Sequence, residues 1–148
     1  MKISKYQIEY QNGGSDVYQT KIKINVNIIT NLLFAHRNEI KMFHFNTLKY
    51  GAHKSLDDYL KTFEELFDRF MESYQGAMNK NVKEMLGDNS EYKLNLVILT
   101  DDNIVSELNK FIDNLNTYRK YLVHTGLQAQ IDEMLSETDK LIYLLKFK

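Results

Sequence analysis

Residues 52–75 read AHKSLDDYLKTFEELFDRFMESYQ, and two stripes run through them. The apolar stripe is Leu56, Leu60, Phe63, Phe67, Phe70 and Tyr74. Its steps of four and three never break, which is the repeat that keeps side chains on one face of an α-helix. The second stripe is His53, Asp57, Asp68 and Glu72, all types that bind metal, at offsets of four, eleven and four. At ~100° per residue it spans about 100°, and its centre lies about 110° from the apolar stripe, so these side chains flank the core and do not enter it. At ~1.5 Å per residue, Asp57 and Asp68 sit about 16 Å apart along the axis, too far for one ion.

The offsets are symmetric about the point between Thr62 and Phe63. An antiparallel copy of the same helix therefore sets His53 and Asp57 of one chain against Glu72 and Asp68 of the other. A two-fold axis makes the contact isologous, so two equivalent sites result. Each half-site is a pair at i and i+4, which share a helix face. Lys61 and Glu64 lie near the proposed axis, where two chains can bridge through them. The same carboxylates also fit an ordinary solvated helix face.

Working outward, Ile29, Leu33, His36, Ile40, Phe43 and Thr47 predict a first helix over about 28–50, broken by Gly51. The second runs from about Ala52 to Gln75 and is closed by Gly76, a C-terminal glycine. Asn81–Leu86 can form a short helix ended by Gly87, and Tyr92–Leu99 fits either an extended or a helical segment. Thr100-Asp101-Asp102 is an N-cap cluster. Behind it come Ile104, Leu108, Phe111, Leu115, Tyr118 and Leu122 of a third helix. Gly126 separates that helix from a fourth, which carries Leu127, Ile131, Met134, Thr138, Leu141 and Leu145. Four amphipathic helices with one long connection between the second and third describe an all-α, ferritin-like four-helix bundle over 27–148. Residues 1–26 differ. Alternating apolar positions around Asn12-Gly13-Gly14 predict an extended or β-hairpin arm; its four lysines and two acids leave DNA phosphates as one contact, and an arm packed on a neighbouring subunit or partly disordered is the plainer reading.

Composition narrows the chemistry. The chain has 148 residues, enough for one domain, with a net charge of −1 and no cysteine. That excludes thiol catalysis and zinc ribbons, and it leaves oxygen and imidazole as metal donors, a set suited to iron, manganese or zinc. No signal peptide or membrane span is legible, so the expected place is the cytoplasm, with no membrane partner. There is no Glu-x-x-His for an iron pair inside one bundle, and no phosphate-binding glycine loop. His36 falls on the apolar stripe of the first helix and reads as a hydrogen-bonded core histidine. His124 reads as a cation in the last turn of the third helix. His44, nine residues before His53, can approach it across the helix–helix corner.

His44-Phe45-Asn46, His53-x3-Asp57 and Asp68-x3-Glu72 together resemble the miniferritins, the DNA-binding proteins from starved cells (Dps). The stretch from Phe43 to Gly76 is also similar to small ferritin-like proteins of phages and large viruses. The resemblance implies a ferroxidase centre across a two-fold interface, with His44, His53 and Asp57 from one subunit and Asp68 and Glu72 from the other. It implies a homo-oligomer, a hollow dodecamer built from such dimers. The substrates would be Fe(II) and peroxide or oxygen, the metal iron (Fe2+/Fe3+) as one ion or a di-iron pair, with zinc or manganese able to substitute. DNA is an occasional partner of that family. Phe45 stands in place of the family's tryptophan, and the corner is three residues shorter. The competing expectation is a non-enzymatic ferritin-like assembly protein of viral type, structural or DNA-associated.

Overall fold

The computed structural model describes residues 26–86 and 91–147. The arm expected over 1–26 therefore lies outside the described residues, apart from its last position. Five helices are present among them: α1 (Val26–Asn46), α2 (Tyr50–Met78), α3 (Val82–Leu86), α4 (Ile104–Tyr121) and α5 (Thr125–Leu144). None is long and apolar enough to cross a membrane.

The four long helices close a ring of packed neighbours, α1–α2–α5–α4 and back to α1. Turns of three residues join α1 to α2 and α4 to α5, so these neighbours run antiparallel. The apolar stripes meet inside the ring. Leu33, Ile40 and Phe43 of α1, Leu56, Phe63 and Phe70 of α2, Leu108 and Leu115 of α4, and Ile131 and Met134 of α5 are essentially inaccessible.

After α3, residues 91–99 take an extended path with no strand partner among the described residues. They climb the outside of α1, where Tyr92 bonds Asn31 and lies edge-on to Phe34. Further up, the Val97 N–H donates to Glu39 (3.0 Å), and the Leu99 carbonyl accepts from Asn46 (3.2 Å). This path carries the chain the length of the bundle, so α4 starts beside the α1–α2 corner.

Helix ends depart from the glycine-based expectation. Gly51 and Gly126 lie inside the first turns of α2 and α5, and α2 continues through Gly76 to Met78. Asn79 takes the left-handed C-cap position at φ 51°, which asparagine tolerates because its short amide bonds locally. Gly76 is thus an interior helix residue, and a Cβ added there meets nothing within 4 Å. Glycine costs a helix interior roughly 0.5–1 kcal/mol relative to alanine. Gly76→Ala is expected to stabilise the monomer by about that amount, read by urea unfolding at low protein concentration.

Candidate metal centre

The site begins at a clamped corner. α1 ends at Asn46, and Thr47–Lys49 turn the chain into α2. The Thr47 N–H donates to the Phe43 carbonyl and the His53 N–H to the Lys49 carbonyl, both at 2.9 Å. From across the bundle, Asp101 accepts the Thr47 hydroxyl (2.8 Å) and the Leu48 N–H (3.5 Å). The Thr100-Asp101-Asp102 cluster was expected to cap α4. The cap position belongs instead to Asn103, which exchanges hydrogen bonds with Thr100 through N–H groups and side-chain oxygens (2.7 and 3.2 Å). Asp101 is freed to hold the corner.

That corner brings three of the five candidate ligands together. Ligand atoms of His44, His53 and Asp57 all lie within 4.8 Å of one another. His44 is buried at the end of α1, and its Nε2 is 3.4 Å from Oδ1 of the exposed Asp57. The two imidazoles stack with centroids 4.0 Å apart. His53 Nδ1 lies 3.0 Å from the His44 carbonyl, an acceptor only, so Nδ1 carries the proton and donates. In the neutral ring this leaves the Nε2 lone pair free for a metal. His44 Nδ1 is buried with no hydrogen-bond partner among the described residues. An orphaned buried nitrogen costs about 1–3 kcal/mol. The cluster's donor set, two imidazoles and one carboxylate, is one that non-haem Fe(II) takes.

Asp68 and Glu72 do not join this cluster within one chain. Both are exposed further along α2, on the stripe that carries Asp57. Glu64 is engaged at home by Arg37 of α1, while Lys61 is exposed and has no ion-pair partner among the described residues.

The remaining histidines stand apart. His124 lies beyond α4, at the N-cap position of α5, so the dipole role expected in a last helical turn does not apply. His36 is a core residue as expected. Its ring stacks on Phe111 of α4 at 3.5 Å. A directional chain satisfies it. Thr138 donates to the Met134 carbonyl (2.8 Å), so Tyr59 must donate to Thr138 (3.0 Å). The tyrosine's proton is then committed, and His36 Nε2–H donates to the Tyr59 oxygen (2.7 Å). Burial lowers the His36 pKa from 6.5 to about 3. In the unfolded chain the ring takes a proton below about pH 6.5, while the folded one refuses it. This group therefore removes stability as pH falls from about 6.5 towards 3, by at most ~1.4 kcal/mol per pH unit. Unfolding free energies of His36→Gln between those pH values should show a slope shallower by that amount.

The clamp was invisible in the sequence. Asn46 was noticed only as part of a motif with His44, and Asp101 carried the signal of a helix cap. The family of unknown function DUF5856 matches residues 44–145. The chain belongs to this family. The DUF5856 segment opens at His44 and holds all five candidate ligands together with Asn46 and Asp101, while most of α1 precedes it. No curated protein and no solved structure matches the chain.

Proposed function

We propose that this chain is a miniferritin-like iron protein. In this reading it binds Fe(II) at His44, His53 and Asp57, and Asp68 and Glu72 of a second copy complete the site across a two-fold axis. The observation that carries the reading is the His44–His53–Asp57 cluster, with His53 held by the His44 carbonyl so that its other nitrogen is free for metal. The outward stripe of α2 supports the second half, because Asp68 and Glu72 are exposed where an antiparallel copy of α2 can reach them. The order of helices around the ring, with a single long crossover from α2 to α4, supports a ferritin-like bundle.

Iron is the substrate here. Each Fe(II) gives one electron to peroxide or oxygen, and the ferric product collects in the interior of a hollow oligomer. The chain's own part is to hold the ion between neutral imidazoles and carboxylates. Those carboxylates offset the charge that grows as Fe(II) becomes Fe(III).

Fe(II) oxidation followed by absorbance tests the reading. The wild type should exceed iron in buffer, and His53→Ala should fall to that background. A wild type that does no better than buffer and purifies as a metal-free monomer would overturn it. A large metal-free oligomer would favour a purely structural assembly.

A further inference from the structure

Three of the four most exposed large apolar side chains of the described residues crowd the corner beside the metal cluster; the fourth, Val123, lies in the α4–α5 turn. Leu48 is 96% accessible, Tyr50 80% and Phe45 74%. Burying such groups is the main non-polar driving force for association. They are not loose, because the hydrogen bonds to the Asp101 carboxylate and to the Leu99 carbonyl hold the turn that carries them. A preformed apolar knob loses little entropy on docking.

Its counterpart can be read from α2. The mirror point between Thr62 and Phe63 relates more than the ligands. Tyr50 and Gln75 are equally far from it and fall on the same outward stripe, by the ~100° arithmetic used above. Lys61 and Glu64 are a second such pair, of opposite charge. Lys61 has no ion-pair partner among the described residues, and Arg37 orients Glu64 from the side. An antiparallel second copy therefore meets complementary charge at the centre, and Tyr50 at each end meets Gln75. Next to Gln75 is Gly76, the interior helix glycine that no contact within its own chain requires. A bare backbone at that point allows a close approach, which glycine characteristically serves.

We propose that Tyr50, backed by Leu48, is the anchor by which a second copy of this chain docks. Its ring lies across the partner's Gln75 and the partner's Gly76, and the partner's Tyr50 does the same in return. Gly76 is kept at a loss to helix stability because a side chain there would lift the ring. The two contacts bracket the two metal sites and exclude water from their outer edges, as the rim of an interface does. The inference rests on the intersubunit reading above and adds its contact surface.

The chain has no cysteine, which permits a direct test on the metal-free protein in chelator. Tyr50→Cys with Gln75→Cys should form an intermolecular disulfide under mild oxidation. The rate should exceed that of a Tyr50→Cys, Lys83→Cys control by ~10-fold or more, because docking raises the effective concentration. Tyr50→Asp, and separately Gly76→Trp, should each weaken the dimer ~10-fold or more in sedimentation while leaving the helical melt of the monomer intact. Cross-linking no faster than the control, or a dimer indifferent to both substitutions, would overturn the proposal. Iron oxidation separates the two ideas. Activity with no Tyr50–Gln75 cross-link removes the docking surface alone, and a cross-linked dimer that oxidises no iron removes the ferroxidase reading alone.

Discussion

Mixing two inactive chains, Asp68→Ala/Glu72→Ala and His53→Ala/Asp57→Ala, is expected to restore about a quarter of the wild-type Fe(II) oxidation rate. Each variant keeps one intact half of every site and lacks the other, so its own dimers hold no complete site. In equal mixture half of the dimers contain one chain of each kind. Within such a dimer one site draws both halves from intact residues and the other draws both from alanines, as two-fold symmetry requires. Half of the dimers with half of their sites gives about a quarter. If the metal were held by one chain alone, the outcome would differ in kind. His44, His53 and Asp57 are the only donors that one chain gathers within 4.8 Å among the described residues. The Asp68→Ala/Glu72→Ala chain would then be fully active, and mixing would add nothing. The measurement is the initial oxidation rate after exchange of subunits under mild denaturant.

Phe63→Ala should remove roughly 3–5 kcal/mol of stability, the usual range for truncating a buried phenylalanine. Phe63 is inaccessible, and its ring meets those of Tyr59 and Phe67 in α2, His36 in α1 and Phe111 in α4. Three helices therefore border the void, and none can close it without disturbing the other two. Domains of this size hold on the order of 5–15 kcal/mol in total. The substitution should lower the midpoint of thermal unfolding by roughly 6–20 °C. Asp57→Ala, exposed and paired only at 3.4 Å with His44, should barely move it. Circular dichroism melts of the two variants would show whether stability and metal binding reside in separate stripes of α2.

That separation is what made the sequence readable. Burial imposes a period, and all six residues expected to face inward on α2, from Leu56 to Tyr74, are buried, with Ala52, Tyr59, Leu66 and Met71 buried beside them. Chemistry imposes none. The ligand stripe could be picked out only because His53, Asp57, Asp68 and Glu72 happen to be symmetric within a single helix. Where a helix ends was less legible. Gly51, Gly76 and Gly126 are permitted to end helices but not obliged to, and the C-cap of α2 went to Asn79, which serves the same left-handed turn. Within the Thr100-Asp101-Asp102 cluster, only Thr100 serves the helix start, and Asp101 does not, for a related reason. A carboxylate before a helix signals a cap when only local chain is considered, yet the crossover had brought it to Thr47. No local pattern records a partner 54 residues away.

The crossover along α1 also divides the making of the site into two steps. His44, His53 and Asp57 sit within one helical hairpin, so a short loop gathers them at small entropic expense. The bonds from Asn46 and Thr47 join residues 53 and 54 positions apart, and they form only when the chain between has been laid down. The donors are expected to meet first and to be fixed later. In pulsed hydrogen exchange during refolding, the His53 amide, bonded to Lys49, should gain protection before the Leu48 amide, bonded to Asp101. A half-folded chain would then hold its three donors on an unclamped hinge, and grip on the ion would tighten only as the last segment reaches its place.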